Sequence, residues 1–294
     1  MATPPSVDAW RAAGTYVRWR EHTIFARVDG PRGAPPLVLI HGFPTASWDW
    51  WPLWDALAAD YRVVACDLLG LGLSAKPRGR YSVMVQADLV EAVAAWAGVT
   101  EAAVLAHDYG DTVAQELLAR QRTGGALRLT GVAFLNGGLF PEAHRARPIQ
   151  RLLASPLGPL VARLSSQRTF VRSMRAIAGA HPPSDAELDA MWQLASQGGG
   201  LQAMPGLLGY LDERRRHRAR WVGALIDSPV PLRLVDGLAD PVSGAPMAAR
   251  YRALVPRADV VELPGVGHYP QLEAPAAVLA AVAPFLATCA TTAA

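Results

Sequence analysis

Asp108, Asp240 and His268, in that chain order, are the residues of this sequence whose types and spacing could do chemistry together. Asp108 stands in Ala106-His107-Asp108-Tyr109-Gly110. The apolar run Val104-Leu105-Ala106 precedes it, and Val113, Leu117 and Leu118 follow at helical spacing. A strand, a sharp turn and a helix therefore meet with one polar side chain at the apex. Ala106 and Gly110 are the small residues such a turn requires, because its backbone is strained and its neighbours must be minimal. A carboxylate at the apex restricts the reaction. Attack on an ester would give an anhydride, a poor intermediate. Attack on saturated carbon gives an alkyl ester that water can later cleave. Epoxides and alkyl halides are the substrate classes that fit.

His268 follows the short strand pattern Asp259–Leu263 and is the candidate base for activating that water. Asp240, in the loop after the strand pattern Pro231–Asp236, is the carboxylate expected to orient it. Asp236 competes for this role but sits at the strand end. Each of the three residues lies just beyond an apolar strand, hence at one edge of a parallel sheet, where open α/β sheets bind ligands. Leu37-Val38-Leu39-Ile40 reads as a further buried strand. The loop after it, His41-Gly42-Phe43-Pro44, can present the Phe43 N–H to the turn, with the Tyr109 N–H as second donor of an oxyanion hole. His41 reads as a packed turn residue, and Asp111 as a carboxylate favouring a helix start.

The elements that must position these groups are legible in outline. Trp10 to Val28 reads as a hairpin and Met84 to Trp96 as an amphipathic helix. Trp48, Trp50, Trp51 and Trp54 read as an aromatic packing face. Between Leu139 and Val222 strand signals vanish. Helical patterns at Arg145–Ala154, Leu157–Leu164, Ser184–Ser196 and Leu201–Arg218 take their place. This predicts an all-helical lid inserted between two strands. The expected organisation is an α/β core over 1–138, a lid over 139–222 and the rest of the core over 223–294. The basic run Arg214-Arg215-Arg216-His217-Arg218 and Arg220 reads as a solvated helix end, and Thr288–Ala294 as a disordered tail.

Composition narrows the class. The chain has 294 residues, 51% hydrophobic, with a net charge of +3. A charge so small, not gathered into one long tract, gives no expectation of nucleic-acid binding. Cys66 and Cys289 are isolated, which suggests neither a disulfide framework nor a metal site. No apolar run reaches membrane-spanning length, and Met1–Val7 lacks a signal-peptide core. The expectation is a cytoplasmic protein, monomeric or homodimeric, with no membrane or nucleic-acid partner, using neither metal nor cofactor.

His-Gly-Phe-Pro at 41–44, His-Asp-Tyr-Gly at 107–110, Asp240-Pro241 and Gly267-His268 together resemble the epoxide hydrolase and haloalkane dehalogenase branch of the α/β-hydrolases. The segments 136–145, 220–225 and 268–273 are similar to the mesoderm-specific transcript subgroup. The resemblance implies an α/β-hydrolase fold with a mostly parallel central sheet flanked by helices. It also implies cofactor-independent hydrolysis of a small hydrophobic substrate. Family dehalogenases hold the departing halide with Asn or Trp where Phe43 stands and Trp where Tyr109 stands. Epoxide hydrolases protonate the leaving oxygen with lid tyrosines, and Tyr210 is the tyrosine this lid carries. The expected activity is therefore epoxide hydrolysis to a vicinal diol, with Tyr210 as acid and Trp192 and His144 as substrate-binding residues. A haloalkane dehalogenase, with Trp192 or Trp221 at the halide, is the enzymatic alternative. A hydrolase fold kept for binding rather than turnover is the alternative of another class.

Overall fold

The computed structural model describes residues 3–291. In chain order its elements are α1 (Val7–Ala12), β1 (Thr15–Trp19), β2 (His22–Asp29), β3 (Pro36–Ile40), α2 (Trp51–Asp60), β4 (Arg62–Cys66), α3 (Val83–Trp96), β5 (Glu101–His107), α4 (Tyr109–Gln121) and β6 (Arg128–Leu135). Then come α5 (Pro148–Leu153), α6 (Gly158–Arg163), α7 (Gln167–Arg175), α8 (Asp185–Ser196), α9 (Gly200–Leu207), α10 (Tyr210–Arg216) and α11 (Arg218–Ile226). The chain closes with β7 (Leu232–Gly237), α12 (Ala245–Leu254), β8 (Asp259–Leu263), α13 (Pro270–Glu273) and α14 (Pro275–Thr291).

The eight strands form one sheet in the order β1-β2-β4-β3-β5-β6-β7-β8. The β1–β2 hairpin pairs antiparallel with itself and with β4, and every other pairing is parallel. Parallel strands covered on both faces must be apolar throughout. Accordingly Leu37–Ile40, Ala102–Ala106 and Leu129–Leu135 are buried almost without interruption. Helix α4 lies so deep that every residue from Tyr109 to Ala119 is buried. No helix of the described residues is long and apolar enough to cross a membrane.

Seven helices, α5 to α11, run without an intervening strand between β6 and β7. Helix α7 lies where the sequence showed no pattern. It is capped by Ser166, whose hydroxyl accepts the Thr169 N–H. The helix expected over Leu201–Arg218 is broken at Gly209 into α9 and α10. Val222 lies inside α11, which rests on α4. There buried Glu116 accepts hydrogen bonds from Arg220 Nε (2.8 Å), Trp221 Nε1 (2.8 Å) and Arg120 Nε (2.9 Å). Burial alone would raise the Glu116 pKa, but these donors outweigh it and hold the carboxylate below its ordinary range. At the chain ends, Trp10 belongs to α1 rather than to the hairpin, and α14 continues to Thr291 through residues expected to be a tail. The remainder of that tail, 292–294, lies outside the described residues.

Candidate active site

The apex of the turn between β5 and α4 is Asp108, at φ 48° and ψ −105°. A non-glycine residue rarely takes a positive φ, and such strain gathers at functional sites. The packing shows why the flanking positions must be small. A Cβ on Gly110 would stand 2.2 Å from the Ile40 carbonyl oxygen, and one on Gly42 would stand 2.9 Å from Asp108 Cβ. Gly110→Ala is therefore expected to force the elbow away from β3. Overpacking of this kind costs roughly 1–3 kcal/mol. Chemical denaturation with an unchanged midpoint would contradict this.

The turn presents the carboxylate to two different partners. Oδ2 accepts the Phe43 N–H at 3.1 Å. Oδ1 faces His268 Nε2 at 3.9 Å, too long for a direct hydrogen bond. Among the described residues the Tyr109 N–H is not a donor to this carboxylate, so one of the two expected oxyanion donors is in contact. The other ring nitrogen, His268 Nδ1, is 2.8 Å from Asp240 Oδ2. Asp236 has no hydrogen-bond partner for its buried carboxylate, and burial followed by the charges of Asp240 and Glu262 pushes its pKa up to about 8. The structure thus brings together Asp108, His268 and Asp240, and leaves Asp236 aside.

Asp240 is held by groups the sequence did not single out. The Val242 N–H (2.7 Å), the Ser243 N–H (3.1 Å) and hydroxyl (2.9 Å), and Asn136 Nδ2 (3.1 Å) all donate to it. Asn136, at φ 42°, directly follows β6 beside the elbow. Burial would raise the Asp240 pKa, but His268 and these donors hold it below the usual range. For His268, burial disfavours the imidazolium, yet the charge and hydrogen bond of Asp240, and then the charge of Asp108, push its pKa up to about 9. His41 is structural: Nδ1 donates to the Gly42 carbonyl and Nε2 accepts the Leu68 N–H. Asp111 differs from expectation. Both its oxygens are buried without a partner, and burial followed by the charge of Asp108 raises its pKa well above the carboxylate range.

The basic run holds the largest departure from the sequence reading. Arg215 and Arg216 are exposed and share Asp212, but Arg214 is 2% exposed. Its Nε donates to Thr112 Oγ1 (2.8 Å), and its Nη2 donates to the Asp108 carbonyl (3.2 Å) and lies 4.0 Å from Asp108 Oδ1. The guanidinium also covers the Tyr210 ring, 4.5 Å from its centroid. Tyr210 and Arg214 are four apart on α10 and so share a face. That spacing was the available signal, once Tyr210 was expected near Asp108.

Tyr210 packs on Tyr109 (ring centroids 4.7 Å apart) and near Phe43 (6.3 Å). Its hydroxyl is buried without a partner, and burial followed by the Asp108 charge raises its pKa. Trp192 lines a cavity of about 490 Å³ that reaches Phe43 and His268, with Phe170, Met174 and Leu201 among its apolar walls. His144 does not line that cavity. It lies against Arg214 instead, and burial followed by the Arg214 charge pushes its pKa down to about 3.

A mostly parallel eight-stranded sheet in this order, with a strained elbow after β5 and a helical insertion after β6, defines an α/β-hydrolase fold. Residues 37–282 match the model of the alpha/beta hydrolase family, and the chain belongs to that family. It is 44% identical over 278 residues to LipZ of Mycobacterium tuberculosis, covering 94% of this chain and 96% of that one. It is 38% identical over 295 residues to the mesoderm-specific transcript homolog protein of Homo sapiens, covering 96% and 88%. Among solved structures it resembles haloalkane dehalogenase DbeA from Bradyrhizobium elkani, with a TM-score of 0.78, 23% identity, and coverage of 95% and 99%.

Proposed function

We propose that this α/β hydrolase is an epoxide hydrolase that forms an alkyl ester on Asp108. The reading rests on the buried Asp108 carboxylate, held by the Phe43 N–H on one oxygen and facing His268 on the other, with the unpartnered Tyr210 hydroxyl nearby. Asp108 Oδ1 attacks a ring carbon, the ring C–O bond breaks, and the leaving oxygen takes the Tyr210 proton. His268 then draws a proton from water, which attacks Asp108 Cγ. Negative charge gathers on Oδ2, where the Phe43 N–H stabilises it. Collapse expels the diol oxygen, which takes the proton from His268. The proton released as the carboxylate reforms returns to Tyr210. The substrate's apolar part occupies the cavity beside Trp192.

An epoxide is favoured over a halide by the groups around Asp108. A departing halide needs N–H donors, and the side chains of Phe43 and Tyr109 supply none. A departing alkoxide needs an acid, and burial keeps the Tyr210 hydroxyl protonated. A single turnover in water enriched in ¹⁸O tests the scheme. The expected result is label in Asp108, read by peptide mass, and none in the first diol released. Label appearing directly in the diol would mean that water attacks the epoxide and would overturn the ester mechanism. Faster turnover of matched bromides than of epoxides would move the reading to a dehalogenase.

A further inference from the structure

A second cavity, of about 840 Å³, adjoins the apolar one across α5 and α9. Leu153 and Met204 line the apolar side, whereas Arg151, Ala154 and Pro205 line the other. The proposed mechanism uses none of this space. Five arginines border it: Arg80, Arg151, Arg214, Arg215 and Arg216. Against them stand two carboxylates, and both are engaged. Asp212 is shared by Arg215 and Arg216. Glu213 turns to the start of α3, accepting the Ser82 hydroxyl at 2.8 Å and the Val83 N–H at 2.9 Å. Among the described residues, Arg80 and Arg151 have no side-chain partner.

At the deep end, where Arg214 lies 4.0 Å from Asp108 Oδ1, what is left unfilled is hydrogen-bonding capacity. Arg214 Nη1 and both ring nitrogens of His144 are buried and make no hydrogen bond. A Cβ on Gly138 would lie 2.1 Å from Arg214 Nη1 and 2.9 Å from His144 Nδ1, so the two nitrogens converge beside that glycine. Native proteins rarely leave buried donors unfilled, because water is lost and nothing replaces it. A guanidinium fork with a free N–H next to an imidazole is matched by an oxyanion.

We propose that this cavity is a binding site for a carboxylate or phosphate group, with Arg214 and His144 at its floor and Arg80 and Arg151 at its mouth. The group is either the acid end of the substrate, whose apolar part lies in the neighbouring cavity, or a free anion. Either one reaches Asp108 through the same guanidinium that donates to the Asp108 carbonyl. The anion site stands on its own geometry; only its link to turnover rests on the nucleophile assignment.

Titration calorimetry on the full chain tests binding without turnover. Inorganic phosphate, or butyrate, is expected to bind saturably and at least tenfold more tightly than butanol, with affinity falling as salt rises. The Arg80→Gln/Arg151→Gln double variant, whose exposed side chains lie outside the catalytic groups, should keep its melting temperature and lose at least fivefold in anion affinity. No saturable anion binding by the folded protein, or binding unchanged in the double variant, would overturn the site. Kinetics then separate the two sources. A substrate acid end predicts that an acid-bearing epoxide beats its neutral analogue in kcat/KM and that phosphate competes with it. A free anion predicts that phosphate changes the rate with neutral epoxides. Anion binding without any epoxide turnover would leave the site standing and remove the epoxide reading. Epoxide turnover without anion binding would do the reverse.

Discussion

The His268→Gln variant is expected to stop with its substrate still attached. Alkylation of Asp108 needs no base, whereas cleavage of the ester does. A positioned base contributes about 10²–10⁴ in rate, so the ester should accumulate on a timescale that intact mass spectrometry can follow. The expected gain is the mass of the whole epoxide, located on the Asp108 peptide. Combining the variant with Tyr210→Phe should slow that gain with epoxides. A folded His268→Gln protein that gains no mass from any epoxide or alkyl halide would remove the alkyl-enzyme scheme and favour a binding role for the fold.

The protonation of His268 gives ester cleavage in the wild type a pH signature. Its pKa is pushed up to about 9, partly by the charge of Asp108. Alkylation removes that charge, so the imidazole is more readily deprotonated in the ester than in the free enzyme. Ester cleavage by the wild type should therefore accelerate with rising pH and level off below pH 9. For stability the sign is opposite. A folded pKa above the ordinary 6.5 adds stability that is fully present below pH 6.5 and is lost as pH rises through about 9.

Arg214→Gln should cost more stability than any exposed arginine. The change removes the hydrogen bonds to Thr112 Oγ1 and the Asp108 carbonyl, and it strips the buried Asp108 of a cation 4.0 Å away. Breaking a buried charge pair costs about 3–5 kcal/mol. The 4.0 Å separation puts this one near the lower end. That corresponds to roughly 5 °C in melting temperature for a chain of this size. Arg216→Gln, two residues on, touches an exposed pair and should stay within about 0.5 kcal/mol. Arg214→Lys keeps the charge without the fork and should fall between. Equal melting temperatures for Arg214→Gln and Arg216→Gln would refute the account.

The contrast between those two arginines shows where sequence reading stops. Asp108, Asp240 and His268 were legible because each follows an apolar strand, and a parallel sheet gathers such positions at one edge. Periodicity also marked the strands and the insertion, since burial on both faces imposes continuous apolar runs. Arg214-Arg215-Arg216 carries no such signal. Three identical residues do not set the phase of a helix by themselves; it is set by Tyr210, four residues before Arg214, once α10 docks beside Asp108. Asn136 was hidden for a related reason. Its contact with Asp240 spans two strand ends distant in sequence and needs a positive φ that a strand-end asparagine tolerates. His144 was expected at the substrate; it lies beside Arg214, on the second cavity rather than on the one that Trp192 lines.

Adjacent residues Glu213 and Arg214 tie α10 to the starts of α3 and α4. The helices that carry most of the apolar wall, α5 and α7 to α9, lie outside those ties. The insertion thus divides into a socket, tied to the core by α10, and a sleeve around the apolar cavity. On the proposed function, substitutions in the sleeve should reshape what the protein accepts while the socket keeps Asp108 in register. Substrate range and reaction type are then free to diverge on separate residues, and a library confined to the sleeve is where altered selectivity should be sought.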